Sequence, residues 1–237
     1  MDISTSTPVV TGAGRGLGRH LVDQLLDRGV AKAYALARDT STVRHDPRVV
    51  PVQFDLRDPA SIEAAPRLTA DATLLINNAS TAVFSTPLEA ELDVVRTEME
   101  VNFEGLYRTI RAFVPVIEAN GGGQIVNVLS LLSLASTPPM TGYSASKAAA
   151  HSLTQALRPV LAARGITLHG VYPGGIDTDM LAGIDAPKTA PAEVAGGILA
   201  GLAADQEDIF PDPNSQAMSQ VWWTDPKSFE RAFSGVA

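Results

Sequence analysis

Cysteine is absent from this 237-residue sequence. That excludes disulfides, thiolate nucleophiles and cysteine metal sites, and it agrees with a reducing compartment. Basic residues are outnumbered, 18 Lys and Arg against 26 Asp and Glu, for a formal charge of −8. No basic block is longer than two residues, so nucleic acid is not an expected partner. No apolar run approaches the roughly 20 residues of a membrane span. The opening "MDISTSTPVV" has no basic stretch leading into an apolar one, so no membrane partner and a cytoplasmic location are expected. The four histidines, His20, His45, His151 and His169, lack a ligand spacing such as H-E-x-x-H, and no metal is expected. A G-x-S-x-G elbow is missing too, which counts against a serine hydrolase.

What is present is apolar and alternating. Hydrophobic residues make up 45% and charged residues 19%, the balance of a packed domain. The length suits one domain over residues 1–237. A β-branched run, Pro8 to Thr11, leads into "GAGRGLG" and then a helical pattern with Leu17, Leu21, Leu25 and Leu26 on one face, which Gly29 ends. Strand-like and helix-like segments then alternate: "AKAYALARD", "VVPVQFD", a helix capped by Asp58, "ATLLINNA", a long helix within 88–118, "GQIVNVLS", a helix over about 142–163, "ITLHGVYPGG" and a helix opening at Pro191. "DIFPDP" reads as a short edge strand and the "VWWTDPKSFERAF" tail as one or two short helices. Such alternation predicts a doubly wound, mainly parallel Rossmann-type sheet in a three-layer α/β/α sandwich. Its strands are too apolar for a one-sided sheet.

Ligands of such sheets bind at the carboxyl ends of the strands. The first end is the glycine turn. G-x-G-x-x-G does not fit it, whereas G-x-x-x-G-x-G does, at Gly12, Gly16 and Gly18. Either spacing gives a tight turn that brings main-chain N–H groups of a helix N-terminus against a pyrophosphate. The second strand ends at Arg38, with Asp39 after it and Arg15 in the glycine turn. Two guanidinium groups suit a ribose 2′-phosphate, so NADP(H) is the expected cofactor, while Asp39 keeps NAD(H) open.

Tyr143 and Lys147 stand four apart, hence on one helical face. On an arbitrary helix this pair means nothing. Here the helix follows the fifth strand, beside the proposed crevice. A tyrosine hydroxyl has a pKa near 10, and a neighbouring ammonium favours its phenolate, which brings general acid/base work within reach. Ser130 ends the fifth strand, where its hydroxyl can meet the same substrate oxygen.

Together "TGAGRGLG" (11–18), "NNA" (77–79), "VN" with Asn102, "IVNVLS" ending in Ser130, "YSASK" (143–147) and "PGGIDTDM" (173–180) resemble the short-chain dehydrogenases/reductases, in order and spacing, over about three quarters of the chain. The resemblance implies that Tyr143 is the catalytic acid/base. Lys147 would lower its pKa and bind the nicotinamide ribose. Ser130 would polarise the substrate oxygen, and Asn102 would anchor a water that links Lys147 to solvent. It also implies cofactor contacts from Gly12, Arg15, Gly16, Leu17, Gly18, Arg38, Asp55, Leu56, Asn78, Ala79, Pro173, Gly174, Ile176 and Thr178. A homotetramer or homodimer through the helices of Asn102 and Tyr143 is implied as well. Two positions depart from the pattern: Ser80 and Ser133 stand where the family has glycine.

The expected function is hydride transfer between NADP(H) and a small ketone, aldehyde or secondary alcohol. A non-catalytic dinucleotide-binding regulator and an epimerase or dehydratase are the alternatives. Leu131, Leu132, Leu134, Met140, Met180 and Leu181 are candidates for pocket or core, and Trp222 and Trp223 for pocket closure, interface or packing. Asp177 and Asp179 read as a loop cap before a short helix.

Overall fold

The computed structural model describes residues 2–235, so the outermost positions of the expected 1–237 unit lie outside the described residues. Seven parallel strands form one sheet in the order β3-β2-β1-β4-β5-β6-β7. They are β1 (Pro8–Thr11), β2 (Ala33–Ala37), β3 (Val49–Gln53), β4 (Leu74–Asn77), β5 (Gly123–Val128), β6 (Ile166–Val171) and β7 (Asp208–Ile209). β1, β2 and β4 are buried at every residue, as their unbroken apolar runs require. β3 lies at the edge; it alternates toward solvent and carries Pro51, which an edge strand tolerates.

One face of the sheet is covered by α1 (Gly16–Asp27) and α6 (Pro191–Ala203), which bury Leu21, Leu25, Ile198 and Leu199 against Val10, Ile76 and Val126. The other face receives α2 (Pro59–Leu68), α4 (Leu106–Ala119) and α5 (Thr141–Ala162), with Ile62, Ile110, Phe113 and Leu161 over Val9, Leu75 and Ile125. Asp58 caps α2 as expected, its carboxylate accepting from the Ala60 N–H at 3.0 Å. The tail forms α7 (Pro213–Thr224) and α8 (Pro226–Ser234), whose Phe229 is buried in this second core.

The long helix expected within 88–118 is interrupted. α3 (Leu92–Met99) passes into a π-turn, Glu100–Gly105, before α4 begins. Nothing in the hydrophobic period marks the extra residue, because the break is made by tertiary hydrogen bonds.

Candidate active site

The strand order reverses at β1, and the loops leaving β1, β4, β5 and β6 carry the expected residues at the carboxyl edge of the sheet. After β1 the chain turns sharply, with φ of +69° at Gly12 and +53° at Gly16, a region side chains rarely enter. Gly18 is needed for space: a Cβ there would stand 2.2 Å from the Gly12 carbonyl oxygen. The end of β4 buttresses this turn. The Asn78 side chain donates to the Thr11 carbonyl at 2.9 Å, and the Thr11 hydroxyl accepts from the Asn78 and Ala79 N–H groups at 3.0 Å each. Leu17 points into the core and offers the crevice only main chain. No side chain caps the first N–H groups of α1, which leaves an anion-binding helix terminus.

Arg38 and Asp55 line a cavity of about 330 Å³ with Gln53, Asp58 and Ser61. Asp39 does not line it. Its carboxylate accepts from the Ser41 hydroxyl at 2.7 Å and the Ser41 N–H at 2.9 Å, bonds that hold its carboxyl below the usual value. Leu56 is buried beside Gly105, so it also contributes main chain at most.

Arg15 does not converge with Arg38. Its guanidinium meets Asp179 at 3.1 Å, joining the glycine turn to the loop after β6. Asp177 lies 3.5 Å from Lys188, and the short turn Asp179–Leu181 has no side-chain cap, so these two aspartates make ion pairs instead of the expected cap. Thr178 faces the glycine turn: its methyl is 3.3 Å from where a Cβ of Gly16 would be. Ile176 bridges to Thr189 and packs on the core. The Pro173-Gly174 corner is held by Asp212, a buried residue absent from the sequence-based set. One carboxylate oxygen accepts from the Gly174 N–H at 3.0 Å and the other from the Ser215 N–H at 2.9 Å. The Asp-Pro start of a helix was its only visible signal.

Ser130 stands two residues past β5 in a reciprocal cap. Its hydroxyl accepts from the Leu132 N–H at 3.1 Å, and the Ser133 hydroxyl accepts from the Ser130 N–H at 3.1 Å. Ser133 therefore completes the turn that presents Ser130. Tyr143 and Lys147 are both buried on α5, the Ser130 hydroxyl lies near enough to that of Tyr143 to lower its pKa, and the Lys147 Nζ lies 5.7 Å from the tyrosine ring centre. Burial pushes the Tyr143 hydroxyl up to about 12; the Ser130 hydroxyl pulls it down and the charge of Glu98 adds to the rise. Burial also brings the Lys147 ammonium down to about 8.

Asn102 sits in the π-turn. Its amide donates to the Thr81 carbonyl at 2.8 Å and the Ser146 hydroxyl at 2.9 Å, and accepts from the Thr81 N–H at 2.9 Å. Ser146 passes the connection on to the Tyr143 carbonyl at 2.7 Å. Asn102 thus ties the segment after β4 to the first turn of α5. Leu131 and Met140 are buried, Leu132 and Leu134 partly so, and Met180 is exposed. Trp222 packs on the second core, whereas Trp223 is 63% exposed. His151, one turn past Lys147, is taken by the Tyr172 hydroxyl at 2.8 Å. Among the described residues there is no histidine or carboxylate cluster able to hold a metal ion.

The family model described as short chain dehydrogenase matches residues 6–189. The chain belongs to the short-chain dehydrogenase/reductase family. A short-chain dehydrogenase from Burkholderia cenocepacia J2315, solved in complex with NADP, is 37% identical with a TM-score of 0.93, covering 98% of this chain and 99% of its own. One from Sphingobium yanoikuyae in complex with NADPH is 25% identical, with a TM-score of 0.80 over 94% of each chain. An uncharacterized oxidoreductase of Staphylococcus saprophyticus is 28% identical over 218 residues, 85% of this chain and 93% of that protein. In this short-chain dehydrogenase the matched stretch takes in every expected site residue from Gly12 to Thr178 and leaves Asp212 outside it.

Proposed function

We propose that this short-chain dehydrogenase is an NADP(H)-dependent reductase of ketones or aldehydes, reversible as an alcohol dehydrogenase. The observation that carries the reading is the burial together of Ser130, Tyr143 and Lys147, with the Lys147 Nζ 5.7 Å from the tyrosine ring centre and the serine hydroxyl near that of the tyrosine. A dinucleotide-binding regulator has no use for that arrangement.

The residues present fit the cofactor. A turn emptied of side chains at Gly12 and Gly18 lets a pyrophosphate approach the N-terminus of α1. Arg38 supplies a cation at the end of β2, while Asp39, the acid that would favour a ribose 2′-hydroxyl, lies outside the cavity that Arg38 lines and has one carboxylate oxygen on Ser41. Both observations support NADP(H) over NAD(H). When bound, the nicotinamide supplies or takes the hydride. The chain supplies the proton: Tyr143 donates it to the substrate oxygen, which Ser130 holds by a hydrogen bond. Lys147, brought down to about 8, exchanges protons near neutrality and can restore the tyrosine. Both amide protons of Asn102 are committed to Thr81 and Ser146, so its part in a relay to solvent falls to its main chain.

Assembly through α4 and α5 as a homotetramer or homodimer belongs to the same reading; these helices expose Tyr107 and Val160. Among the described residues no helix is long and apolar enough to cross a membrane.

The test is a panel of ketones and aldehydes with NADPH and NADH, followed at the nicotinamide absorbance. NADPH oxidation with at least one carbonyl is expected, with kcat/KM about tenfold or more above NADH, the value of one charge-assisted contact. A panel that oxidises neither cofactor overturns the reading, and equal rates overturn the NADP(H) preference.

A further inference from the structure

α3 is only partly covered, yet Glu98 near its end is 2% exposed. Burying a carboxylate is costly unless a cation or several donors meet it. Among the described residues no cation does. Arg96 pairs with Asp93 at 2.8 Å, Arg57 with Glu100 at 3.3 Å, and Lys147 donates to a carbonyl. One carboxylate oxygen of Glu98 accepts from the Val83 N–H at 2.9 Å. The other lies over Gly142, where a Cβ would come within 2.1 Å of it. Gly142 directly precedes Tyr143, and its φ is outside the left-handed region, so this glycine is there to admit the carboxylate.

Glu98 and Asn102 lie one turn apart and grip the same segment, Asn102 at Thr81 and Glu98 at Val83. The Ser85 N–H donates to the Pro139 carbonyl at 3.0 Å, stapling the segment to the entrance of α5. A neutral glutamine could accept the Val83 N–H equally well. Burial without a cation raises the Glu98 carboxyl above its usual value, and the glycine its free oxygen rests on is the residue before Tyr143.

We propose that Glu98 is a positioning residue of this site: its carboxylate fixes the Val83 segment against α5 and sets a buried negative charge beside Tyr143. The inference rests on the reductase reading for the role of Tyr143. The polar groups around the tyrosine are Ser130 from the loop after β5, Lys147 on α5 and Glu98 from α3; around Glu98 are the Val83 N–H, Gly142 and Val95. A negative charge disfavours the phenolate. Once ionised, Glu98 thereby keeps Tyr143 a proton donor to higher pH and makes the phenolate, which alcohol oxidation needs, scarcer.

Glu98→Gln removes the charge and keeps the acceptor for Val83; Glu98→Ala removes both. In Glu98→Gln the upper pH limit of carbonyl reduction and the lower limit of alcohol oxidation are both expected to move down by about half to one unit, with KM nearly unchanged. Glu98→Ala is expected to shift the limits likewise, raise KM and speed hydrogen exchange at the Val83 amide. With 13Cζ-labelled tyrosine, the Tyr143 resonance, assigned with Tyr143→Phe, is expected to begin titrating at lower pH in both variants. A resonance and a pH profile that stay in place in either folded variant overturn the inference. If the parent protein turns over no carbonyl, the reductase reading fails, and the tyrosine titration still decides the role of Glu98.

Discussion

The ammonium of Lys147 donates to the main-chain carbonyl of Val128 at 2.8 Å, so the lysine one turn beyond Tyr143 is tied to the end of β5 and not to a carboxylate. Burial brings it down to about 8 from an ordinary 10.5. The unfolded chain holds this proton up to pH 10.5 and the folded protein releases it near 8. Between those values the unfolded state binds more protons, so stability attributable to Lys147 rises with pH and is lost again as pH falls toward 8. The difference corresponds to about 3 kcal/mol at most. Urea denaturation of the parent and Lys147→Met at pH 7, 8, 9 and 10 checks this. The parent should gain on the variant across the window; parallel curves would show that the lysine is not desolvated.

Tyr143→Phe deletes one hydroxyl from a buried ring, close to the hydroxyl of Ser130. Stability should change by about 1 kcal/mol or less. Reductase kcat should fall by about 100-fold to 10,000-fold, the usual worth of a positioned acid, while fluorescence titration gives a nearly unchanged Kd for NADPH. Substantial turnover by the variant would mean that the proton comes from elsewhere.

Arg38 and Arg15 should differ in their effect on cofactor choice. Arg38 lines the cavity at the end of β2, whereas Arg15 is exposed and paired with Asp179. Arg38→Ala is expected to cut the NADPH/NADH ratio of kcat/KM by about 10-fold to 100-fold, as loss of a charge-assisted phosphate contact would. Arg15→Ala should cut it less, since an exposed pair competes for its guanidinium. A larger loss for Arg15 would show that the cofactor draws it away from Asp179.

Most of the fold, and the closeness of Tyr143 and Lys147, could be read along the chain because their signals are local. The periods of α1 and α5, the buried strands and the spacing of Tyr143 and Lys147 each occupy a few consecutive residues. What escaped acts across the fold. Asn102 meets Thr81 and Ser146, the latter 44 residues away, and the π-turn that aims it has no hydrophobic signature. Asp212 holds Gly174 from 38 residues further on. The depth to which Tyr143 is buried, the largest cause raising its hydroxyl, likewise leaves no mark in the spacing of the pair.

Two helical glycines should respond to alanine with opposite signs, which tests the close approach of the glycine turn. Gly18 lies in α1, where an added Cβ would collide with the Gly12 carbonyl oxygen at 2.2 Å and the Asn78 amide nitrogen at 2.7 Å. Neither the turn nor Asn78, held to Thr11, has room to retreat. Gly18→Ala should therefore destabilise by about 1 to 3 kcal/mol, the usual cost of overpacking, and weaken NADPH binding by moving α1 off the turn. Gly196 lies in α6, and its added Cβ would meet nothing nearer than the Gln24 side-chain oxygen at 3.4 Å. There alanine removes backbone freedom from the unfolded chain without a clash and should stabilise by about 0.5 to 1 kcal/mol. Thermal denaturation and NADPH titration of both variants check the pair. If Gly18→Ala retains full stability and affinity, the glycine at this position is not set by contact with the turn.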